Sequence, residues 1–266
     1  MSNSYRNTKM KEESFTMNKC KKILVTGATS GIGLLLTQKL QQQGYEVWAT
    51  GRNEEILLQL HAQGIHTILA DLTNIESVEK TFYEMGTPDT VVLNAGIGTF
   101  AYLTDMPDSR IDQMLHVNVA APMKLSKYFA EKMKERGSGH LIFIASQAGK
   151  VATPKASVYA ATKHAILGFA NAIRMELKEY GIYVSTVNPG PIDTPFLDLA
   201  DQNSNYREKV KNHLLTPEQV VAAIVKIINK PKREIDIPFY MAITSKLFAV
   251  MPKTVETLGK RFFNKK

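Results

Sequence analysis

In this 266-residue sequence, Tyr159 and Lys163 have the residue types and the spacing needed for proton transfer. They are four residues apart in a predicted helix, so their side chains lie on the same face, one turn apart. A phenol has an ordinary pKa near ~10, and a neighbouring ammonium favours the phenolate. The pair is therefore suited to general acid–base chemistry near neutral pH. Taken alone, such a pair more often lies on a solvated helix surface. Other residues of the sequence are needed to distinguish a catalytic pair from a surface pair.

Ser146 precedes Tyr159 in the chain, at the C-terminal end of a predicted central strand. In open α/β sheets, ligands bind outside the carboxyl ends of the strands. The Ser146 hydroxyl would then hold a substrate oxygen beside the Tyr159 phenol. A serine after a strand is also commonly a loop hydroxyl or a cap, so this residue carries weight only as part of a set.

A glycine-rich turn, Thr26 to Gly33, follows the first apolar strand. Its glycines are Gly27, Gly31 and Gly33, and a helix-compatible segment comes next. Glycine permits positive φ angles and close backbone approach, and the following helix N-terminus offers free N–H donors. The turn can therefore hold a pyrophosphate. A tight structural turn is the alternative, because glycine motifs alone give many false positives.

This turn is the first of six elements that resemble the short-chain dehydrogenase/reductase family and occur in the family's order. The six are Thr26 to Gly33, Asn94-Ala95-Gly96, Asn118, Ser146, Tyr159-Ala160-Ala161-Thr162-Lys163 and Pro189-Gly190. The resemblance covers roughly residues 21–239. It implies hydride transfer between a nicotinamide cofactor and a carbonyl or secondary alcohol carbon.

The resemblance also implies roles for individual residues. The implied catalytic residues are Asn118, Ser146, Tyr159 and Lys163, with Tyr159 as the general acid–base. Lys163 would also hydrogen-bond the nicotinamide ribose, and Asn118 would support a water chain from the lysine to bulk solvent. The implied cofactor-binding residues are Gly27, Thr29, Ser30, Gly31, Ile32, Gly33, Arg52, Asp71, Leu72, Asn94, Ala95, Gly96, Tyr159, Lys163, Pro189, Gly190, Ile192 and Thr194.

Residues after the second strand bear on which nicotinamide cofactor is bound. A free adenosine 2′-hydroxyl is generally held by an acidic residue there, whereas a 2′-phosphate needs a cation. The segment Ala49 to Asn53 has no acidic residue and contains Arg52, which can contact a phosphate through two hydrogen bonds. The sequence therefore predicts NADP(H) in preference to NAD(H). A solvated arginine is the alternative, and Ser30 stands where many NADP-dependent relatives have a basic residue.

Apolar runs of strand length alternate with longer amphipathic runs. Strands are predicted at 22–26, 45–50, 67–71, 90–94, 141–145, 183–188 and 234–238, and helices at 34–43, 54–62, 75–85, 112–136, 159–180 and 216–229. Such alternation implies parallel strands with helical crossovers, and near-continuous apolar strands suit a sheet covered on both faces. We therefore expect a single α/β domain, a Rossmann-like doubly wound parallel sheet of about seven strands with helices on both faces.

The sequence predicts a division of the chain into three segments. Residues 1–18 are polar and lack an apolar segment, so a disordered leader or a non-native extension is expected. Residues 19–244 form the predicted catalytic domain, with a substrate lid at about 190–215, where the connection is unusually long. Residues 245–266 form a basic amphipathic tail.

The tail allows two interpretations. Apolar residues recur near helical spacing among six basic residues, a pattern that fits either packing over the chain's own cleft or contact with an anionic membrane surface. We favour packing, with Phe248 and Met251 near the lid, because Pro252 shortens any continuous interfacial helix.

Composition and charge exclude several classes of protein. The chain is 44% hydrophobic and 22% charged, as in globular proteins, and its single cysteine, Cys20, cannot form an internal disulfide. No apolar run approaches the ~18 residues of a membrane span and no secretory signal is recognisable, so a cytoplasmic location is expected. The net charge of +8 is concentrated at the two ends instead of one face, which argues against nucleic-acid binding. The six histidines lack ligand spacing, and no metal is predicted.

Apolar side chains in the lid and after the fourth strand point to an apolar or amphipathic carbonyl or alcohol substrate. These are Phe196, Leu197, Leu199, Tyr206, Phe100, Tyr102 and Leu103. A 3-ketoacyl thioester reductase is the second enzyme hypothesis, and a non-catalytic NADP-sensing or scaffold protein is the alternative from another class. The predicted helix at 159–180 is apolar on more than one face, so a homodimer or homotetramer through this helix and 112–136 is expected.

Overall fold

The computed structural model describes residues 21–73, 80, 82–201 and 206–258. Its strands are β1 (Lys22–Thr26), β2 (Glu46–Gly51), β3 (His66–Leu69), β4 (Thr90–Leu93), β5 (Gly139–Ile144), β6 (Ile182–Pro189) and β7 (Glu234–Ile237). They form one sheet in the order β3-β2-β1-β4-β5-β6-β7, and every neighbouring pair is parallel. The predicted Rossmann-like parallel sheet is confirmed.

The strand order reverses between β1 and β4. These strands are neighbours in the sheet, with Leu24 paired to Val91, although β2 and β3 separate them in the chain. The chain therefore winds first to one edge of the sheet and then returns to build the other half. Such a reversal opens a crevice outside the carboxyl ends of the strands, which is where ligands of this architecture bind.

Helices cover both faces of the sheet. They are α1 (Gly31–Gln42), α2 (Glu54–Ala62), α3 (Asp108–Leu115), α4 (Ala121–Arg136), α5 (Ser157–Leu177), α6 (Pro195–Ala200), α7 (Tyr206–Val210), α8 (Pro217–Asn229), α9 (Tyr240–Val250) and α10 (Pro252–Leu258). The predicted helix at 112–136 is longer than expected and is interrupted, because a π-helical segment, His116–Ala120, joins α3 to α4. The predicted helix at 75–85 falls largely outside the described residues.

The start of α8 follows the sequence prediction closely. The Thr216 hydroxyl accepts a hydrogen bond from the Gln219 N–H at 3.3 Å, and the Gln219 side-chain oxygen accepts one from the Thr216 N–H at 3.0 Å. Pro217 occupies the first helical position. This reciprocal cap satisfies N–H groups that a helix N-terminus leaves without intrahelical partners.

Two apolar cores lie on the two faces of the sheet. Alternate residues of a strand point to opposite faces, and β1 accordingly sends Ile23 and Val25 into one core and Leu24 into the other. The core around Leu24 includes Phe129 of α4 and residues of α5, whereas the other packs against α1 and α8. Covering both faces in this way suits the near-continuous apolar strands.

The one tryptophan of the sequence lies on β2. Trp48 stacks on His66 of β3, with ring centroids 4.5 Å apart and an interplanar angle of 14°. Lys22 Nζ lies 5.9 Å from the centre of the Trp48 ring, and the indole N–H donates to Glu46 Oε1 at 3.1 Å. These contacts hold Trp48 on the strand that leads to Arg52.

The predicted division between residues 244 and 245 falls inside α9. The helix starts at Tyr240, soon after β7, and Met241 and Phe248 on one of its faces line the central cleft. The first part of the predicted tail therefore contributes to the lining of the cleft. Across the described residues, no helix combines the length and apolar character needed to cross a bilayer. The predicted leader, 1–18, lies outside the described residues.

Candidate active site

A cleft of about 1030 Å³ opens at the carboxyl ends of the strands where the sheet order reverses. The predicted site residues that line it are Gly27, Thr29, Ser30, Gly31, Ile32, Arg52, Asp71, Leu72, Asn94, Ala95, Gly96, Ser146, Tyr159, Lys163, Pro189, Gly190, Ile192 and Thr194. The two remaining predicted residues, Gly33 and Asn118, lie behind this lining. The structure thus brings together residues that are far apart in the chain.

The glycine turn between β1 and α1 requires its glycines. Gly27 has a φ of 65°, and a β-carbon there would lie 2.8 Å from the Ala95 Cα atom. A β-carbon at Gly33 would collide with the Gly27 carbonyl oxygen. Ser30 precedes α1 in extended conformation and makes no side-chain capping bond. The turn therefore leaves bare backbone and a helix N-terminus facing the cleft, which suits a pyrophosphate.

Thr26 and Asn94 join the turn to the end of β4. The Thr26 hydroxyl accepts hydrogen bonds from the Asn94 N–H at 3.0 Å and the Ala95 N–H at 3.1 Å. The Asn94 side-chain amide donates to the carbonyls of Thr26 at 2.9 Å and Gly27 at 3.2 Å. Asn94 thus fixes the shape of the turn. Thr26 was not among the predicted site residues, although a polar side chain at the end of an apolar strand is a signal that sequence reasoning could use.

Tyr159, Lys163 and Ser146 meet at the end of β5. Tyr159 and Lys163 lie on α5 and are 8% and 6% exposed. Lys163 Nζ donates to the Ile144 carbonyl at 2.9 Å and lies 5.7 Å from the centre of the Tyr159 ring. The Ser146 side chain hydrogen-bonds to the Tyr159 phenol, and its oxygen also accepts from the Ala148 N–H at 3.1 Å. The predicted proton-transfer pair therefore has a hydroxyl beside it.

Burial is the main influence on the pKa of Tyr159 in this structure. Burial raises it to about 12, against the smaller lowering effect of the hydrogen bond with Ser146. Burial also lowers the pKa of Lys163 to about 8. In both cases desolvation disfavours the charged form of the group. At neutral pH the phenol carries its proton and the lysine is charged.

Asn118 lies in the π-helical segment and supports the site from behind. Its side chain exchanges two hydrogen bonds with the backbone of Ile97, both 2.8 Å long. Its amide also donates to the Thr162 hydroxyl at 3.1 Å, and that hydroxyl donates to the Tyr159 carbonyl at 2.7 Å. Asn118 therefore connects the loop after β4 to the helix that carries Tyr159.

Gly96 stands between Asn118 and Lys163. A β-carbon there would lie 3.4 Å from Asn118 Oδ1 and 3.6 Å from Lys163 Nζ. A larger side chain would fill the space between the two polar groups, whereas glycine leaves it open. Glycine therefore has a steric role at this position besides any contact with a cofactor.

Arg52 follows β2 and is exposed at the cleft. The residue before it, Gly51, packs so closely on Thr29 of the glycine turn that a β-carbon at Gly51 would clash with that side chain. Asp71 follows the neighbouring strand β3 and accepts a hydrogen bond from the Thr73 backbone N–H at 2.9 Å. Chiefly this bond, and to a smaller extent the charge of Arg52, lowers the pKa of the Asp71 carboxyl. A guanidinium beside the glycine turn is placed to meet a phosphate.

Aromatic rings surround Tyr159 on the substrate side. The Tyr159 ring centroid lies 6.0 Å from Phe100 and 5.6 Å from Phe196, and Phe100 lies 5.4 Å from Tyr206. Phe248 of α9 also lines the cleft, as predicted. Met251 follows the end of α9, is exposed and is not among the residues that line the cleft.

Arg207 connects parts of the predicted lid segment, and sequence reasoning missed this residue. Its guanidinium forms a two-pronged ion pair with Asp198 of α6, at 2.8 and 2.7 Å, and also pairs with Asp193. It donates to the Thr194 carbonyl at 2.7 Å as well. One side chain therefore ties α7 to α6 and to the segment after β6. No periodic signal marks Arg207 in the polar lid sequence.

A polar network lies beside Ser146. The Gln147 amide lines the cleft and donates to the Asn188 carbonyl at 2.8 Å and to Asp236 Oδ1 at 2.7 Å. Lys150 pairs with the same carboxylate oxygen at 2.6 Å. The network anchors the segment after β5 to β7. Elsewhere in the described ranges, no three His, Cys, Asp or Glu side chains come together as metal ligands.

A parallel sheet with a glycine turn at its point of reversal defines a nucleotide-binding α/β protein. Comparison with known proteins narrows the class, because the model of the short chain dehydrogenase family matches residues 21–205. The chain belongs to this family. It is 32% identical over 225 residues to the uncharacterized oxidoreductase YbbO of Escherichia coli K12, an alignment that covers 80% of this chain and 83% of YbbO.

Solved structures of similar proteins contain both nicotinamide cofactors. A serine dehydrogenase complexed with NADP+ superposes with a TM-score of 0.76 at 27% identity, over 81% of this chain and 94% of that one. A 4-hydroxyisoleucine dehydrogenase complexed with NADH superposes with a TM-score of 0.74 at 26% identity, over 82% and 96%. The chain is therefore an oxidoreductase of the family that acts on CH–OH or C=O groups, and its cleft fits a nicotinamide dinucleotide.

Proposed function

We propose that this protein is an NADP(H)-dependent oxidoreductase that transfers a hydride between the nicotinamide and a carbonyl or secondary alcohol carbon, with Tyr159 as the general acid–base. The observation that carries the proposal is the meeting of the Tyr159 phenol with Ser146 and Lys163 at the end of β5. The bound cofactor would supply or accept the hydride. The residues of the chain would bind and orient the cofactor and the substrate, and they would transfer the proton.

The burial of Tyr159 determines which group would donate the proton during carbonyl reduction. The Tyr159 phenol keeps its proton at neutral pH, because burial raises its pKa to about 12, and it is therefore a donor to the oxygen of a carbonyl that is being reduced. Ser146 would hold the same oxygen. The Lys163 ammonium stabilises the phenolate left behind, and the reverse sequence serves alcohol oxidation.

Cofactor preference depends on Arg52. Its guanidinium lies at the rim of the cleft beside the glycine turn, and neither of the two residues between β2 and α2, Arg52 and Asn53, is an acid that could accept from a ribose hydroxyl. This placement supports NADP(H) over NAD(H). Asp71 lies close enough for the Arg52 charge to lower the pKa of its carboxyl, so a 2′-phosphate would compete with that carboxylate for the arginine.

The substrate is proposed to be an apolar or amphipathic carbonyl compound or secondary alcohol. Phe100, Phe196 and Tyr206 surround Tyr159, and Phe248 continues the same lining from α9. A small polyol would leave these rings without an apolar partner. A 3-ketoacyl thioester also fits a long apolar cleft, and it therefore belongs in the first assays.

The proposal is tested by assaying purified protein with NADPH against ketones, aldehydes and 3-ketoacyl thioesters. The Tyr159→Phe variant should lose at least ~10²-fold in turnover while its NADPH affinity stays nearly unchanged. Tyr183→Phe, at an exposed tyrosine of β6, is the matched control and should behave like the parent. Parental turnover in Tyr159→Phe would reject the catalytic role, and NADPH binding without turnover of any substrate would favour a sensing or scaffold protein.

A further inference from the structure

Helix α9 has a second apolar face that points away from the cleft. Met241, Thr244 and Phe248 line the cleft on one side. On the other side, Ile243, Leu247 and Val250 are 61%, 50% and 80% exposed, and Phe239 just before the helix is exposed as well. Residues at this spacing form one stripe along a helix. We call Phe239, Ile243, Leu247 and Val250 the outer face of α9.

An exposed apolar stripe of this kind has no role in the site described above. Scattered single apolar residues on a surface are ordinary, whereas a contiguous apolar face marks an interaction surface. None of the four residues lines the cleft. The cost of keeping them in water thus calls for a partner outside the described part of the chain.

The charge around the outer face indicates the kind of partner. Lys246 is exposed within the stripe, between Ile243 and Val250, and Lys253 is exposed on α10. From residue 246 to the end, the sequence has six basic residues and one acidic residue. The excess includes Lys260, Arg261, Lys265 and Lys266, with Phe262 and Phe263 among them. Apolar side chains flanked by cations match an anionic lipid surface.

We propose that the outer face of α9 docks on an anionic membrane surface, with the helix parallel to the membrane plane. The apolar stripe would enter the boundary between headgroups and acyl chains, and Lys246 and Lys253 would meet the lipid phosphates. A second copy of the chain is the less suitable partner, because a symmetric contact through α9 would bring two strongly basic segments together.

Docking in this orientation has a consequence for substrate entry. The inner face of the same helix lines the cleft through Met241 and Phe248, so the cleft and the membrane would lie on opposite sides of one helix. An apolar substrate dissolved in the bilayer then has a short path to Tyr159. This consequence rests on the proposed function, whereas the docking itself does not.

The test measures binding of the full-length protein to vesicles. The parent should co-sediment with phosphatidylcholine vesicles that contain phosphatidylglycerol, bind pure phosphatidylcholine weakly, and dissociate as salt increases. The triple variant Ile243→Ser/Leu247→Ser/Val250→Ser should bind the anionic vesicles at least ~10-fold more weakly. Lys246→Gln/Lys253→Gln should lose roughly fivefold for each charge removed.

A matched control removes exposed apolar side chains elsewhere. Leu58→Ser/Leu69→Ser, on α2 and β3, should bind vesicles like the parent. All variants should keep the parent's circular dichroism and its turnover in plain buffer, because the substituted residues lie outside the cleft.

Two results would overturn the proposal. The first is failure of the parent to bind anionic vesicles, or equal binding by the triple variant. The second is light scattering that shows a concentration-dependent oligomer which the triple variant disrupts, without any vesicle binding. That second result would assign the outer face of α9 to contact between copies of this chain.

Discussion

Tyr159 and Lys163 share a buried environment that opposes charge on each of them. Burial raises the pKa of the phenol to about 12 and lowers that of the ammonium to about 8. The two effects act in the same sense, because each group is driven toward its neutral form. The charged lysine is thus the component nearest to losing its proton under ordinary assay conditions.

The lowered pKa of Lys163 predicts a pH dependence for cofactor binding. As pH rises through about 8, Lys163 loses its proton in the free enzyme, and its attraction for the cofactor and support for the phenolate weaken. We expect kcat/KM for NADPH to fall above pH 8, a profile that reports the free enzyme. In Lys163→Arg the fall should move to higher pH, since arginine stays charged. A profile identical in both proteins would assign the titration to another group.

Arg52 offers a prediction about cofactor choice. Arg52→Asp exchanges a phosphate partner for a hydroxyl acceptor and adds repulsion against a phosphate, so the ratio of kcat/KM for NADPH to that for NADH should fall by ~10²-fold or more. Arg52→Ala, the matched control, should lose affinity for NADPH without gaining any for NADH. If the ratio is unchanged in Arg52→Asp, the arginine is an ordinary surface residue.

His140 offers a prediction about stability. It is 5% exposed on β5, and its Nε2 lies 2.8 Å from the Ser185 hydroxyl, which itself donates to the Lys232 carbonyl. Burial lowers its folded pKa to about 4 from 6.5, so the unfolded chain binds more protons between these values. The contribution of neutral His140 to the free energy of unfolding is complete above pH 6.5. As pH falls toward 4, ~3 kcal/mol of this free energy is lost.

Urea unfolding across this pH range measures the effect. Any difference in free energy of unfolding between the parent and His140→Gln should change steeply between pH 4 and 6.5 and stay constant above that range. A difference that does not vary with pH would show that His140 is not neutral in the folded protein.

Sequence reasoning could find residue types and spacing but not their electrostatics. The helical spacing of Tyr159 and Lys163 and the serine at the end of a strand were enough to propose that these three residues meet. The pKa of Tyr159 depends instead on rings such as Phe100 and Phe196 that reach it from distant parts of the chain. No local pattern contains that burial.

Among the elements, the strand-turn-helix unit was predictable, whereas the contacts inside the predicted lid segment were not. The turn after β1 and the cap of α8 are local features, set by glycine sterics and by Thr216. The π-helical segment around Asn118 and the position of α7 arise from tertiary contacts, so helical periodicity did not reveal them. Arg207 of α7 contacts Asp193, Thr194 and Asp198, which lie up to 14 positions away, and these contacts cross between two short helices.

Arg207→Ala should loosen the lid. Loss of the bidentate contact to Asp198 and the bond to the Thr194 carbonyl frees α7 from α6, and KM for the substrate should rise about fivefold, the scale of a partly exposed ion pair. The melting temperature should change little. Lys211→Ala, which removes an exposed pair with Glu208 in the same region, is the control and should leave KM unchanged. Equal effects of both substitutions would mean that Arg207 has no special role in the lid.

At the scale of the whole molecule, the outward surface of α5 bears on assembly. Small residues form an exposed stripe along it, and the volume around Gly168 is open. The stripe consists of Ala161, Ala165, Gly168 and Ala172. This surface agrees with the expectation of a homodimer or homotetramer through α5, because small residues allow two helices to approach closely.

Light scattering at micromolar concentration tests this expectation. The parent should form a dimer or tetramer, and Ala165→Arg should produce a smaller species, because a long charged side chain prevents close approach of two helices. Leu58→Arg, at an exposed position on α2, should keep the parent's mass. A parent that is monomeric at this concentration would contradict the assembly.

The stacked tryptophan on β2 makes the cofactor site optically visible. Trp48 lies three residues before Gly51 and is the one tryptophan in the chain. Its ultraviolet emission overlaps the absorption of a reduced nicotinamide, so a reduced cofactor in the cleft should quench the indole by resonance energy transfer. Because a single emitter is involved, the quenching curve gives occupancy directly. The protein therefore contains its own spectroscopic probe for the binding experiments that distinguish affinity from turnover.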